Sequence, residues 1–230
     1  AMSMLGLCYS MGEGVLFDQA EAMNWYNRAA DAGSADAMIL LARCYNTGEE
    51  GVEQDQAKAA EWYHRAAEAG HIDAMYILAL RYDLGGGGVS QDDVEAVKWY
   101  LKAAEAGHTE AMFVIAVRYD LGEGVTEDDA EAVKWYRKAA DTGHTQAMCN
   151  LGVYYGTGEG VALDEVEAAK WFREAADAGH AQAMYNLGIC YMNGDGVAYD
   201  YSEATTWWRQ AARAGNEDAK RALRRQGLSW

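Results

Sequence analysis

Hydrophobic and polar positions recur along this chain with a helical period that glycine interrupts at regular intervals. From Ala111 to Gly143, an apolar segment "AMFVIAVRYDLG" runs into the turn "GEGV" and then into "AEAVKWYRKAADTG". Ala132, Trp135, Tyr136, Ala139 and Ala140 fall at i, i+3, i+4, i+7 and i+8, while Glu131, Lys134 and Lys138 take the other face. That spacing predicts an amphipathic helix packed on one side. In the next apolar segment, Ala147, Met148, Leu151, Gly152 and Tyr155 gather on one arc, and its small residues let a neighbouring helix come close. Each unit therefore predicts two helices joined by a glycine turn.

The unit repeats. "EAVKWY" occurs at Glu95 to Tyr100 and again at Glu131 to Tyr136, with looser spellings at Glu21, Lys58, Glu167 and Glu203. The tryptophans Trp25, Trp62, Trp99, Trp135, Trp171 and Trp207 are spaced by 37, 37, 36, 36 and 36 residues. The tyrosines Tyr9, Tyr45, Tyr82, Tyr119, Tyr155 and Tyr191 march with them. One helix pair cannot bury its apolar face alone, so the pairs must stack, which predicts an all-α solenoid. We set the repeats at 1–36, 37–73, 74–110, 111–146, 147–182 and 183–218 of a single domain, with a cap at 219–230. The turns "GEEG" and "GGGG" account for the two longer periods.

Local chemistry agrees with this parsing. There are 25 glycines and no proline, so glycine does the punctuation. Glu127, Asp128 and Asp129 crowd the start of a second helix, where free backbone N–H groups favour acids, and Gly143 is placed for a left-handed helix end with Lys138 in the last turn. Past Gly215, "NEDAKRALRRQG" begins a first helix that has no second; with Ala219 and Leu223 inward and Lys220, Arg221, Arg224 and Arg225 outward, it reads as a polar cap.

The combination A-M-x-x-L-[GA]-x-x-Y, G-x-G-V and A-x-x-W-Y-x-x-A-A-x-x-G-H resembles the Sel1-like repeat, a relative of the tetratricopeptide repeat, over nearly the whole chain. Alanine at Ala42, Ala79 and Ala116 in place of the helix glycine, and "EATTWW" in the last copy, are local departures. The resemblance implies a right-handed α-α solenoid of six repeats with a concave groove, acting as a non-catalytic interaction scaffold or adaptor for a protein or peptide. It also admits a bacterial immunity protein that neutralises a basic secreted toxin, and, in another class, a cell-wall-fragment-binding protein or hydrolase.

Charge and composition narrow the partners. A formal net charge of −17 disfavours nucleic acid and anionic membrane surfaces and suits a basic protein or peptide. Residues 200–230 depart from this trend, with six basic and four acidic side chains. No apolar run is long enough for membrane insertion. Cys8, Cys44, Cys149 and Cys190 lie too far apart along the stack for adjacent repeats to bridge, so reduced thiols and a cytoplasmic location are favoured; a removed leader would make the protein periplasmic or secreted. His71, His108, His144 and His180 follow the repeat glycine, and stacked repeats about 10 Å apart cannot bring two imidazoles to one metal, so the histidines read as turn residues. We expect no catalytic set, no metal site and no cofactor.

The candidate binding surface lies on the first helices. The third, fourth, seventh and eleventh residues counted from the repeat alanine should be polar if solvated. In the third repeat they are Tyr76, Ile77, Leu80 and Leu84, and in the fourth Phe113, Val114, Val117 and Leu121. Packing between repeats would explain such a stripe; so would a partner-binding groove. Arg81 and Arg118 flank it, to hold a partner carboxylate or to pair with Asp83, Asp120 or another nearby acid. Asn150 and Asn186, with Tyr154 alongside, form a second patch whose amides suit an extended peptide backbone.

Overall fold

The computed structural model describes residues 1–48 and 51–230. Among them are thirteen helices and no strand. Odd-numbered helices open the repeats: α1 (Met2–Met11), α3 (Ala35–Thr47), α5 (Ile72–Leu84), α7 (Thr109–Leu121), α9 (Thr145–Thr157) and α11 (Ala181–Asn193). Even-numbered helices close them: α2 (Gln19–Asp31), α4 (Gln56–Glu68), α6 (Asp93–Glu105), α8 (Asp129–Asp141), α10 (Glu165–Asp177) and α12 (Tyr201–Arg213). The cap is α13 (Glu217–Arg225). This is an all-α repeat fold, as the periodicity requires. The chain forms two compact units, Ala1–Ala111 and Met112–Trp230. Within the first, successive helices from α1 to α6 pack on one another; within the second, so do those from α8 to α13.

Most helix boundaries have a side-chain or backbone cause. Second helices start on an aspartate: Asp18, Asp55, Asp92, Asp128, Asp164 and Asp200 each accept a backbone N–H from the first turn, as Asp128 does from Glu131 at 3.0 Å. They end on a left-handed glycine. At Gly70, with φ of 89°, the chain reverses so that the His71 N–H reaches back to the Ala66 carbonyl at 3.0 Å. The "GEEG" turn includes Glu49 and Glu50, which lie outside the described residues.

The four repeat histidines have a more specific role than the turn residue read from sequence. Each is the N-cap of a first helix, its Nδ1 accepting the N–H three residues on: His71 from Ala74 at 3.3 Å, His108 from Ala111 at 3.1 Å, His144 from Ala147 at 3.1 Å and His180 from Ala183 at 3.2 Å. Ser34 and Asn216 do the same with oxygen in the second repeat and in the cap.

The core is built from small residues and one large ring per repeat. Ala22, Ala59, Ala96, Ala132, Ala168 and Ala204, near the start of the second helices, are all buried. Tyr26, Tyr63, Tyr100, Tyr136, Phe172 and Trp208 insert beneath the preceding first helix. Where that helix has glycine, the approach is too close for a side chain: a Cβ at Gly152 would lie 2.6 Å from the Phe172 ring, and one at Gly188 would lie 2.4 Å from Trp208. Ala219 and Leu223 of α13 are fully buried and close the last repeat. The four cysteines are free thiols, three of them buried.

Candidate functional site

The first-helix stripe divides by depth. In the first unit, Tyr76 of α5 lies stacked on His108, with ring centroids 4.3 Å apart, and tilts against Tyr100 at 5.7 Å. Ile77 and Leu80 are half-buried, whereas Leu84, in the last turn, is 77% exposed. In the second unit, Phe113 of α7 stacks on His144 at 4.3 Å and tilts against Tyr136 at 5.9 Å. Val114 and Val117 are half-buried, and Leu121 is 58% exposed. Thus the third position joins one repeat to the next through the N-cap histidine, and the eleventh faces solvent.

The flanking arginines are engaged inside the protein. Arg81 donates to the Gly87 carbonyl of the "GGGG" turn and, at 2.5 Å, to Oδ1 of Asn46, while its guanidinium covers the Tyr63 ring at 4.7 Å. Its planar fork thereby fixes the turn and ties the third repeat to the second. Asp83 instead receives the Tyr100 hydroxyl at 3.3 Å. Arg118 pairs with Glu123 of its own turn at 3.1 Å, with a side chain only 12% exposed. Both arginines therefore shape the surface from within.

The second patch is similarly mixed. Tyr154, expected beside the stripe, is buried, and its hydroxyl donates to Asp120, which also receives the Tyr136 hydroxyl at 3.3 Å. Burial first, and the Asp120 charge with it, push both phenols well above their ordinary range, so they stay neutral hydrogen-bond donors. Asn150 and Asn186 are half-buried, each accepting from the glutamine one turn earlier: Gln146 at 3.0 Å and Gln182 at 3.1 Å. Asn186 also borders a cavity between α9, α10 and α11.

Two of the thiols are held in their neutral form. Burial raises the thiols of Cys149 and Cys190 to about 11 each, which suppresses the nucleophilic thiolate. Among the described residues, no group of three or more His, Cys, Asp or Glu side chains is placed to hold a metal ion. No helix among them is long and apolar enough to cross a membrane.

Stacked helix pairs with glycine turns, aspartate-capped second helices and an aromatic wedge in every unit define a helical repeat protein. Six consecutive segments, 1–34, 35–71, 72–108, 109–144, 145–180 and 181–216, match the Sel1 repeat model, and the chain belongs to that family. Sel1 repeat proteins generally serve as protein-interaction scaffolds, and their fold is typically non-enzymatic. Among solved structures, the chain is similar to c5321, described as a protective antigen present in uropathogenic Escherichia coli strains, with 36% identity and a TM-score of 0.81. The likeness covers 95% of this chain but 46% of that one, so the chain spans about half the antigen's length. A Sel1 repeat protein from Oxalobacter formigenes is 32% identical with a TM-score of 0.82, over 96% of this chain and 88% of that one. A weaker likeness, to immunity protein Pa5087 from Pseudomonas aeruginosa, has 25% identity and a TM-score of 0.43 over 80% of this chain and 67% of that one, and carries no argument about function. No curated protein matches.

Proposed function

We propose that the protein is a non-catalytic scaffold whose first helices present the binding surface for a protein or peptide of basic character. The observation that carries this reading is the exposure of Leu84 and Leu121. These are equivalent last-turn leucines of α5 and α7, 77% and 58% exposed, and each continues a half-buried apolar strip of its own helix, so the exposure is not that of a lone side chain. In the first unit Ile77 and Leu80 run with Leu84 as one apolar strip, and in the second Val114 and Val117 run with Leu121 as another. Tyr76 and Arg81 brace the strip of the first unit and Phe113, Arg118 and Tyr154 that of the second, where Asn150 and Asn186 add half-buried amide groups. The net charge of −17 supports fast capture of a basic partner.

The test is affinity capture from the host organism's lysate with wild type, Leu84→Asp, Leu121→Asp and the double variant, at low and high salt. Both leucines are exposed, so the variants should melt like the wild type. Loss of a captured protein with either single change, at unchanged melting, supports the reading. Retention of every captured protein by the double variant overturns it.

A further inference from the structure

In three of the six repeats the ring that follows the repeat tryptophan is latched, by its polar edge, to the residue tenth from the repeat alanine in the preceding first helix. The Tyr26 hydroxyl lies 3.0 Å from Ser10 Oγ, Tyr100 donates to Asp83 at 3.3 Å, and Tyr136 donates to Asp120 at 3.3 Å. In the second repeat Arg81 links Asn46 to the Tyr63 ring. In the sixth the pair is Met192 and Trp208, bulkier on both sides. The fifth repeat has lost both halves at once: the ring is Phe172, and the tenth residue is Gly156.

The space so vacated is a cavity of about 240 Å³. Val153, Phe172 and Ile189 give it an apolar wall, Asn186 and Thr157 add polar groups, and Glu165 and Asp195 stand in its lining with no basic residue among the lining side chains. Gly156 is not required by the fold. A Cβ there would meet only the Ala168 Cβ, at 3.7 Å, an ordinary contact, whereas a Cβ at Gly152, one turn earlier, would collide with Phe172 at 2.6 Å. A glycine inside a helix is unfavourable relative to alanine, so one that packing does not demand points to the space it leaves.

We propose that this cavity receives the basic side chain of a partner peptide, arginine in the first instance. The aliphatic stem would lie against Val153 and Ile189 and the guanidinium over Phe172, with its charge met by Glu165 and Asp195. An apolar wall with carboxylates in its lining fits a long cationic side chain better than a neutral or acidic one, and the acidic chain as a whole supports the same sign of partner. The assignment rests on the reading of the chain as a peptide-binding scaffold and adds the residue class it selects.

The experiment is an NMR titration of the full chain, labelled with ¹⁵N, with three capped pentapeptides: Ala-Ala-Arg-Ala-Ala and its norleucine and glutamate counterparts. Saturable shifts at Val153, Phe172 and Ile189 with the arginine peptide, at least tenfold tighter than with norleucine, are expected. Glu165→Gln with Asp195→Asn should weaken arginine binding about tenfold. Gly156→Ser with Phe172→Tyr, which restores the uncharged latch of the first repeat, should abolish it. If that double variant folds poorly, Gly156→Ser alone partly fills the cavity and should weaken binding. Equal affinity for arginine and norleucine, no saturable shift at these residues, or undiminished binding in the charge variant overturns the assignment. If it falls while Leu84→Asp or Leu121→Asp still loses a captured protein, the scaffold reading stands and only the cavity's role is lost.

Discussion

Nδ1 of His180 accepts the backbone N–H of Ala183 at 3.2 Å, so it caps α11 only while that nitrogen carries no proton. The ring's Nε2 faces Oε1 of Gln146 at 2.9 Å. Asn216 reproduces the pair one repeat later, accepting from Ala219 at 2.8 Å and donating to Gln182 at 2.9 Å. Burial, and then the neighbouring His144, hold the His180 pKa below its ordinary 6.5. A folded value below the unfolded one means that the unfolded chain binds the proton more readily. The stabilisation is thus complete above pH 6.5 and is lost as pH falls through the lower folded value. His180→Asn should match the wild type at pH 8 and surpass it at pH 5, and His180→Ala should lose about 1 kcal/mol at pH 8. Urea midpoints of the three proteins at the two pH values check this. Parallel midpoints for wild type and His180→Asn at both would rule out the titrating cap.

Gly152 and Phe172 set a second expectation. The methyl group of Gly152→Ala would have to share space with a buried ring 2.6 Å away, so the ring must shift before the methyl fits. The change should cost about 1–3 kcal/mol despite alanine's better helix propensity. Trimming the ring with Phe172→Leu should restore part of that loss, a compensation visible in the melting temperatures of the two single variants and the double.

These two sites show what was legible in the sequence. The periods of tryptophan and tyrosine were enough to place the helix pairs, because helical packing depends on residue type at fixed spacing and every repeat had to obey it. The eleventh-position leucines could be flagged as apolar, but their depth depends on how far the last turn projects beyond its neighbours, which no period encodes. Arg81 was harder still. Its partners are a carbonyl in an irregular turn and an amide 35 residues away, whereas sequence proximity pointed to Asp83. The cavity in the fifth repeat did leave a trace, since phenylalanine and glycine replace a tyrosine and a polar residue together. That signal appears only when the tenth position of one helix is read against the ring of the next.

Arg81→Lys tests the arginine directly. A lysine keeps the charge but cannot cover the Tyr63 ring with a planar fork while bonding both the Gly87 carbonyl and Asn46. Arg81→Lys and Arg81→Ala should therefore both lose about 1–3 kcal/mol, with lysine recovering less than half of the alanine loss. Amide hydrogen exchange should quicken in the turn at Gly85–Gly88. Full recovery by lysine would show that charge, and not the fork, holds the turn.

Asp120 gathers the hydroxyls of Tyr136 and Tyr154 onto one carboxylate, a charged acceptor serving two donors that are almost wholly buried. Asp120→Asn leaves one amide oxygen for both and turns an NH₂ group toward hydroxyls that must find new acceptors. The expected loss is about 1.5–3 kcal/mol, the scale of hydrogen bonds to charged groups. The carboxylate has a second, separable effect. Its charge and its acceptance of the hydroxyl protons add to burial in raising both phenol pKa values, so removing it should bring their ionisation to lower pH. In an alkaline titration followed by tyrosinate absorbance, Asp120→Asn should gain signal before the wild type does, with helicity unchanged over the same range. Coincident curves would mean that burial alone keeps the two phenols neutral and that Asp120 holds them only in position.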